Sequence, residues 1–118
     1  MLTVYGYKKC STCTKAKKFL SDIGVEVNFI DIVESTPTEK ELSKIINRGE
    51  YSIDDFFNKR GKKFKEHELA DKLPNMSDDE KLQVLSTDGM LIKRPFVVSE
   101  DTVVLGFKED VYEETFNL

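Results

Sequence analysis

The chain has 118 residues, of which 39% are hydrophobic and 34% charged. That is one domain's worth of chain, long enough to bury roughly two-thirds of the surface its unfolded form exposes with no disulfide or metal staple. The 22 acidic residues against 18 Lys plus Arg leave a net charge of -4, which argues against direct nucleic-acid binding; no apolar run approaches the ~20 residues of a membrane span, and the N-terminus lacks the apolar core of a signal peptide, so the expected location is the cytoplasm.

Thr3, Val4 and Tyr5 form a short apolar run closed by Gly6, which predicts a first strand. Lys8 to Thr12 reads as a loop leading into a helix. From Cys13 to Ile23 the residues Ala16, Phe19, Leu20 and Ile23 recur at three and four, one face of a helix stopped by Gly24. Val25 to Ile32 alternates apolar and polar residues and predicts a second strand. Thr38 followed by Glu41 has capping-box spacing and opens a helix through Leu42, Ile45 and Ile46 toward Gly49.

Ile53, Phe56 and Phe57 suggest a second short helix, and Asn58 to Lys63 a turn. A third is predicted over about Glu66 to Leu73, and Ser77 with Glu80 opens a fourth through Leu82 and Leu85. Phe96-Val-Val and Thr102-Val-Val-Leu are short β runs joined by a polar hairpin loop, and Lys108 to Phe116 predicts a last helix. The order β-α-β, helical block, β-β-α is the thioredoxin arrangement of an α/β fold with a mixed central sheet. One domain over 1–118 is expected, with residues about 37–89 as a helical insertion.

The two cysteines stand at Cys10 and Cys13, as C-S-T-C. A reducing cytoplasm argues against a permanent structural bridge, and a bridge over two residues would constrain the unfolded chain little. Redox chemistry, metal binding and coincidence remain. Zinc wants four ligands, and His67 is the only histidine, so a metal site would need it and a carboxylate. A C-x-x-C between a strand and a helix favours redox chemistry. The helix N-terminus stabilises a thiolate, so Cys10 is the expected nucleophile and Cys13 the resolving partner. Lys8 and Lys9 either add positive charge there or point to water. His67 reads as a surface residue near a helix start.

Arg94-Pro95 precedes the strand that begins at Phe96. A cis bond there would bring the chain close to the cysteines and turn Arg94 toward a thiolate or anionic substrate; the alternative is a trans proline with Arg94 in water. Asn58 to Lys63 carries Lys59, Arg60, Lys62 and Lys63, the most basic stretch in the chain. It is either an oxyanion- or acid-binding surface or a solvated turn. Phe56, Phe57, Phe64, Phe96 and Phe107 fall on faces expected to be core.

Four segments, Cys10-Ser-Thr-Cys-Thr-Lys-Ala16, Phe57-Asn-Lys-Arg-Gly61, Asp88-Gly-Met-Leu-Ile-Lys-Arg-Pro95 and Val104-Leu-Gly-Phe-Lys-Glu-Asp110, together resemble the arsenate reductase ArsC / Spx / MgsR family over essentially the whole chain. The resemblance implies a thioredoxin-like domain with a helical insertion. It places Cys10 at the nucleophile and Arg94 at the arginine that holds the oxyanion or thiolate. Reductases of the family carry two further arginines. Asn58 stands at the second position, with Arg60 two residues on, and the third falls near Gly106. Cys13 and Arg60 match the RNA-polymerase-binding regulators instead, and Ser52 stands where those carry glycine. The expected activity is therefore a thiol–disulfide oxidoreductase with site residues Cys10, Cys13 and Arg94, anion-binding Arg60, Asn58 and Pro95, and no metal. No bound cofactor is expected. Glutathione, another small thiol, thioredoxin or glutaredoxin would recycle the pair, and the protein would be a monomer. The alternative is a redox-sensing regulator that binds the RNA polymerase α subunit without touching DNA.

Overall fold

The computed structural model describes residues 2–118. Strand β1 (Leu2–Gly6) leads into helix α1 (Ser11–Asp22) and strand β2 (Val27–Asp31). Helices α2 (Glu39–Asn47), α3 (Lys62–Glu66), α4 (Leu69–Lys72) and α5 (Asp78–Thr87), with 3-10 turns at Ile53–Phe56, Leu73–Asn75 and Gly89–Leu91, make the helical block. Strands β3 (Phe96–Val98) and β4 (Val103–Leu105) form a hairpin, and helix α6 (Glu109–Phe116) follows. The sheet has the order β2-β1-β3-β4, with β2 parallel to β1 and the other neighbours antiparallel. This is the α/β arrangement read from the sequence.

Strand alternation separates two cores. Val4, Val97 and Val104 are cross-strand neighbours and face one side, where Ala16 and Leu20 of α1 and Tyr112 of α6 cover them. Tyr5, Phe96 and Leu105 face the other side, under the helical block. There Tyr5 stacks on Phe96 with ring centroids 4.7 Å apart, and Phe56 meets Phe96 edge-on at 5.5 Å. Phe57 and Phe64 are buried on the same side, whereas Phe107 is only half-buried.

Both capping boxes form. Thr38 and Ser77 accept from the N–H groups of Glu41 and Glu80, whose carboxylates accept in return. Two boundaries differ from expectation for local reasons. Gly24 takes φ +82°, and Gly24 and Val25 donate back to Ser21 and Leu20. Val25 is thus used in closing α1, so β2 starts at Val27 and Ile23 is left 46% exposed. The helix expected over Glu66–Leu73 divides at Glu68, at φ +53°; α3 begins earlier, because Phe64 must be buried beside Phe57.

The block is fastened to the sheet at a glycine. A Cβ on Gly89 would lie 1.9 Å from the carbonyl oxygen of Ile32, so only glycine lets this turn rest on the end of β2. No helix among the described residues is long and apolar enough to cross a membrane.

Candidate active site

The first half of the site is local. Cys10 sits at the N-terminus of α1 in extended conformation, and its N–H donates to the Tyr7 carbonyl at 3.0 Å. Its Sγ accepts the N–H of Cys13 at 3.4 Å, so the sulfur occupies the place of a capping side chain. Cys10 is half-buried, Cys13 is 1% exposed, and both are free thiols. Burial pushes the Cys13 thiol up from 9.0 to about 12; its hydrogen bond to Cys10 and the charge of Cys10 push the same way, while the Tyr7 backbone and Arg94 pull down. A Cβ on Gly6 would lie 3.0 Å from Cys13 Sγ and 3.1 Å from the Phe29 ring, so this glycine leaves the space that Cys13 fills.

Lys8 does not serve the sulfur. Its Nζ is 2.7 Å from Glu34, and its N–H donates to Asp31 at 3.3 Å. Asp31 also accepts from Val33 and Glu34. Against a desolvation that would raise it, these N–H bonds hold its carboxyl below the usual range. Lys9 is exposed.

The second half comes from distant segments. The Arg94–Pro95 peptide bond is cis, and Pro95 is buried. The Arg94 guanidinium lies 5.6 Å from the Tyr7 ring centroid and donates to the carbonyls of Ile92 and Met90 at 3.3 and 3.4 Å. Beside it runs a short antiparallel contact. Phe57 pairs with Ile92, Asn58 N–H donates to Leu91 at 2.8 Å, and Lys93 N–H donates to Phe56 at 2.7 Å. That contact holds the basic turn against the Arg94 loop.

The two halves meet in a cleft of about 840 Å³ lined by Cys10, Asn58, Arg60 and Arg94. Cys13 and Pro95 are both buried and neither lines the cleft, so Pro95, expected among the anion-binding residues, does not face it. His67 is exposed in the break between α3 and α4, and Ser52 is an exposed residue opening the first 3-10 turn. Sequence reasoning missed Tyr51, Asp55, Lys93 and Lys108, which also line the cleft. Lys108 has a traceable cause. Gly106 turns the chain at φ +79°, its carbonyl accepts the buried Tyr112 hydroxyl at 2.5 Å, and Lys108, two residues on, lines the cleft. With Lys59, the lining holds five cations and the single carboxylate of Asp55, in a chain of net charge -4. Such a surface suits an anion. Among the described residues no three His, Cys, Asp or Glu gather as a metal site.

The chain is 46% identical over 115 residues to YusI of Bacillus subtilis, an uncharacterized protein, with 98% of both chains covered. It is 31% identical over 106 residues to the regulatory protein MgsR of the same organism, covering 90% of this chain and 82% of MgsR. A solution structure from Staphylococcus aureus superposes with a TM-score of 0.88 at 51% identity over 97% of each chain. The family model for ArsC matches residues 5–115, and the chain belongs to the ArsC family.

Proposed function

We propose that this protein is a cytoplasmic, monomeric thiol–disulfide oxidoreductase of the arsenate reductase type. Cys10 is the nucleophile and Cys13 the resolving thiol. Arg94, helped by Arg60 and Asn58, holds the thiolate or an oxyanion. The observation that carries this is the half-buried Cys10 sulfur at the start of α1, facing a cationic cleft with the buried Cys13 thiol beside it.

The chemistry balances in two steps. The Cys10 thiolate attacks one sulfur of a disulfide, forms a mixed disulfide and releases the other half as a thiolate. Cys13 then loses its proton to solvent and attacks Cys10 Sγ. The second thiolate leaves, and the Cys10–Cys13 bond holds the two electrons' worth of oxidation. With an oxyanion such as arsenate, Cys10 displaces water, and attack by Cys13 releases the reduced As(III) oxyacid. Two equivalents of glutathione or another small thiol, or reduced thioredoxin or glutaredoxin, restore the dithiol.

The order of steps follows from the Cys13 environment. Two of the groups that hold its proton are the hydrogen bond to Cys10 and the Cys10 charge. Burial, the largest cause, persists, but both of these vanish when Cys10 enters a mixed disulfide, so Cys13 is a better nucleophile once Cys10 has reacted. The test is NADPH-coupled turnover of arsenate and of a small disulfide, with thioredoxin or glutaredoxin supplied. Turnover lost in Cys10→Ser supports the reading, and full activity in that variant removes it.

The likeness to MgsR favours a second reading. There the Cys10–Cys13 bond switches affinity for the RNA polymerase α subunit, and the polymerase supplies the DNA contact. Calorimetric titration of the α subunit into reduced and oxidised protein tests it. Equal affinity in both states removes the sensing role, and no binding removes the reading.

A further inference from the structure

The sheet register makes a pair that neither the cysteine motif nor the basic turn contains. β1 and β3 run antiparallel with Tyr5 opposite Phe96, and the same register continued past the ends of both strands sets Tyr7 opposite Arg94. The side chains follow it. Tyr5 stacks on Phe96, and the Arg94 guanidinium carbon stands 5.6 Å from the centre of the Tyr7 ring. That is within the ~6 Å at which an aromatic face holds a cation. Both residues are half-buried, but only Arg94 lines the cleft; Tyr7 does not.

Arg94 is also tied to its own loop. Its Nη1 donates to the carbonyls of Ile92 and Met90 at 3.3 and 3.4 Å. Both bonds are long and both fall on one nitrogen, about which the rest of the guanidinium can turn. Among the described residues no protein acceptor takes an N–H of its Nε or Nη2, and no carboxylate pairs with it. Those two nitrogens form the edge of a guanidinium that grips two oxygens of an anion side by side. An arginine loses rotamer freedom when it binds, and a side chain fixed beforehand avoids that loss. The Tyr7 main chain is fixed as well, since its carbonyl accepts the Cys10 N–H at 3.0 Å. One residue thus touches both halves of the site, the nucleophile through its backbone and the cation through its ring.

We propose that Tyr7 is the positioning residue of the anion site, its ring fixing the Arg94 guanidinium so that the free Nε and Nη2 donors meet an oxyanion or the carboxylate of an anionic substrate beside Cys10. Tyr7 acts through Arg94, and the face of its ring does the holding. Phenylalanine should therefore serve as well as tyrosine, whereas a side chain of similar bulk without a π face should not. The competing account is that the Ile92 and Met90 carbonyls alone fix Arg94, with Tyr7 a packing neighbour. The proposal rests on the anion-holding role of Arg94 given above, but the binding is read without any thiol turnover.

The probe is inorganic sulfate, added to the whole reduced protein at constant ionic strength. Its affinity is read from the protection it gives Cys10 against iodoacetamide, with the alkylated residue identified by mass. Tyr7→Phe should bind sulfate as the native protein does. Tyr7→Leu should weaken binding about three- to fivefold, the worth of one partly exposed cation–π contact, and Arg94→Ala should weaken it more. Combining Tyr7→Leu with Arg94→Ala should cost nothing beyond Arg94→Ala alone, because Tyr7 acts through Arg94. Pentafluorophenylalanine at position 7 keeps the shape of the ring but reverses the charge of its face. It should weaken binding as leucine does, and it decides the matter if Tyr7→Leu does not fold. Native affinity in Tyr7→Leu or in the fluorinated variant would overturn the proposal. So would a loss in Tyr7→Phe equal to that in Tyr7→Leu, or a loss from Tyr7→Leu that persists in full without Arg94. No protection by sulfate in the native protein would overturn it together with the anion-holding role of Arg94. Absence of thiol turnover, with sulfate binding and its dependence on Tyr7 intact, would keep the role of Tyr7 and remove only the redox reading.

Discussion

The two parts that meet at the cleft are held in different ways. The thiol part, β1 to β2, is built from neighbours: Cys10 bonds to Tyr7 and Cys13 within one turn, and Gly6 makes room for Cys13 from the adjacent strand. The cationic part is assembled across long separations. Asn58 reaches Leu91, Lys93 reaches Phe56, and Lys108 follows a turn at Gly106. A local motif fixes which atom reacts, whereas the loops fix what can approach it. Damage to the first should remove chemistry, and damage to the second should change selectivity.

The largest effect that sharpens this contrast is Cys10→Ser, expected to lower turnover by at least about a thousandfold for every substrate. Gly89→Ala attacks the joint between the parts. Its Cβ meets the Ile32 backbone, so a loss of about 3 kcal/mol is expected in urea unfolding. Arg94→Ala should raise KM for an anionic substrate by about tenfold or more while sparing a neutral one, and Arg94→Lys should restore only part. Equal loss with both substrates would break the division of labour.

Cys13 supplies a pH prediction. Its folded-state pKa lies above its unfolded value, so between pH 9 and about 12 the unfolded chain ionises there first. The folded chain then binds more protons, and stability falls as pH rises. Cys13→Ala should flatten the onset of that alkaline limb, before the raised Tyr112 hydroxyl adds its own share. In the native protein at pH 8, iodoacetamide should label Cys10 well before the buried, protonated Cys13. The smallest effect belongs to the helix starts. Thr38→Ala and Ser77→Ala should each cost about 1 kcal/mol and leave turnover unchanged.

This division also explains what the sequence disclosed. The strand–Cys10–helix unit and both capping boxes are short-range patterns, legible because each residue's partner lies within a few positions. Arg94, Arg60 and Asn58 do meet Cys10 at the cleft, but the residues alone left a solvated alternative open for Arg94 and Arg60. Lys108 and Tyr51 were illegible, since a lysine before a helix and a tyrosine just past a helix end look like ordinary surface until β4 and α2 are placed in space. The break at Glu68 was hidden for the same reason, because it depends on where Phe64 finds Phe57.

The central claim is that Cys10 reacts first and Cys13 resolves. Intact-mass analysis after a single exposure to a small disulfide tests it most directly. Cys13→Ser should accumulate one mixed disulfide on Cys10, Cys10→Ser should remain unmodified, and the native chain should pass on to an internal Cys10–Cys13 bond. An adduct forming on Cys13 in Cys10→Ser as fast as on Cys10 in Cys13→Ser, or a native chain that stops at the mixed disulfide, would contradict the account.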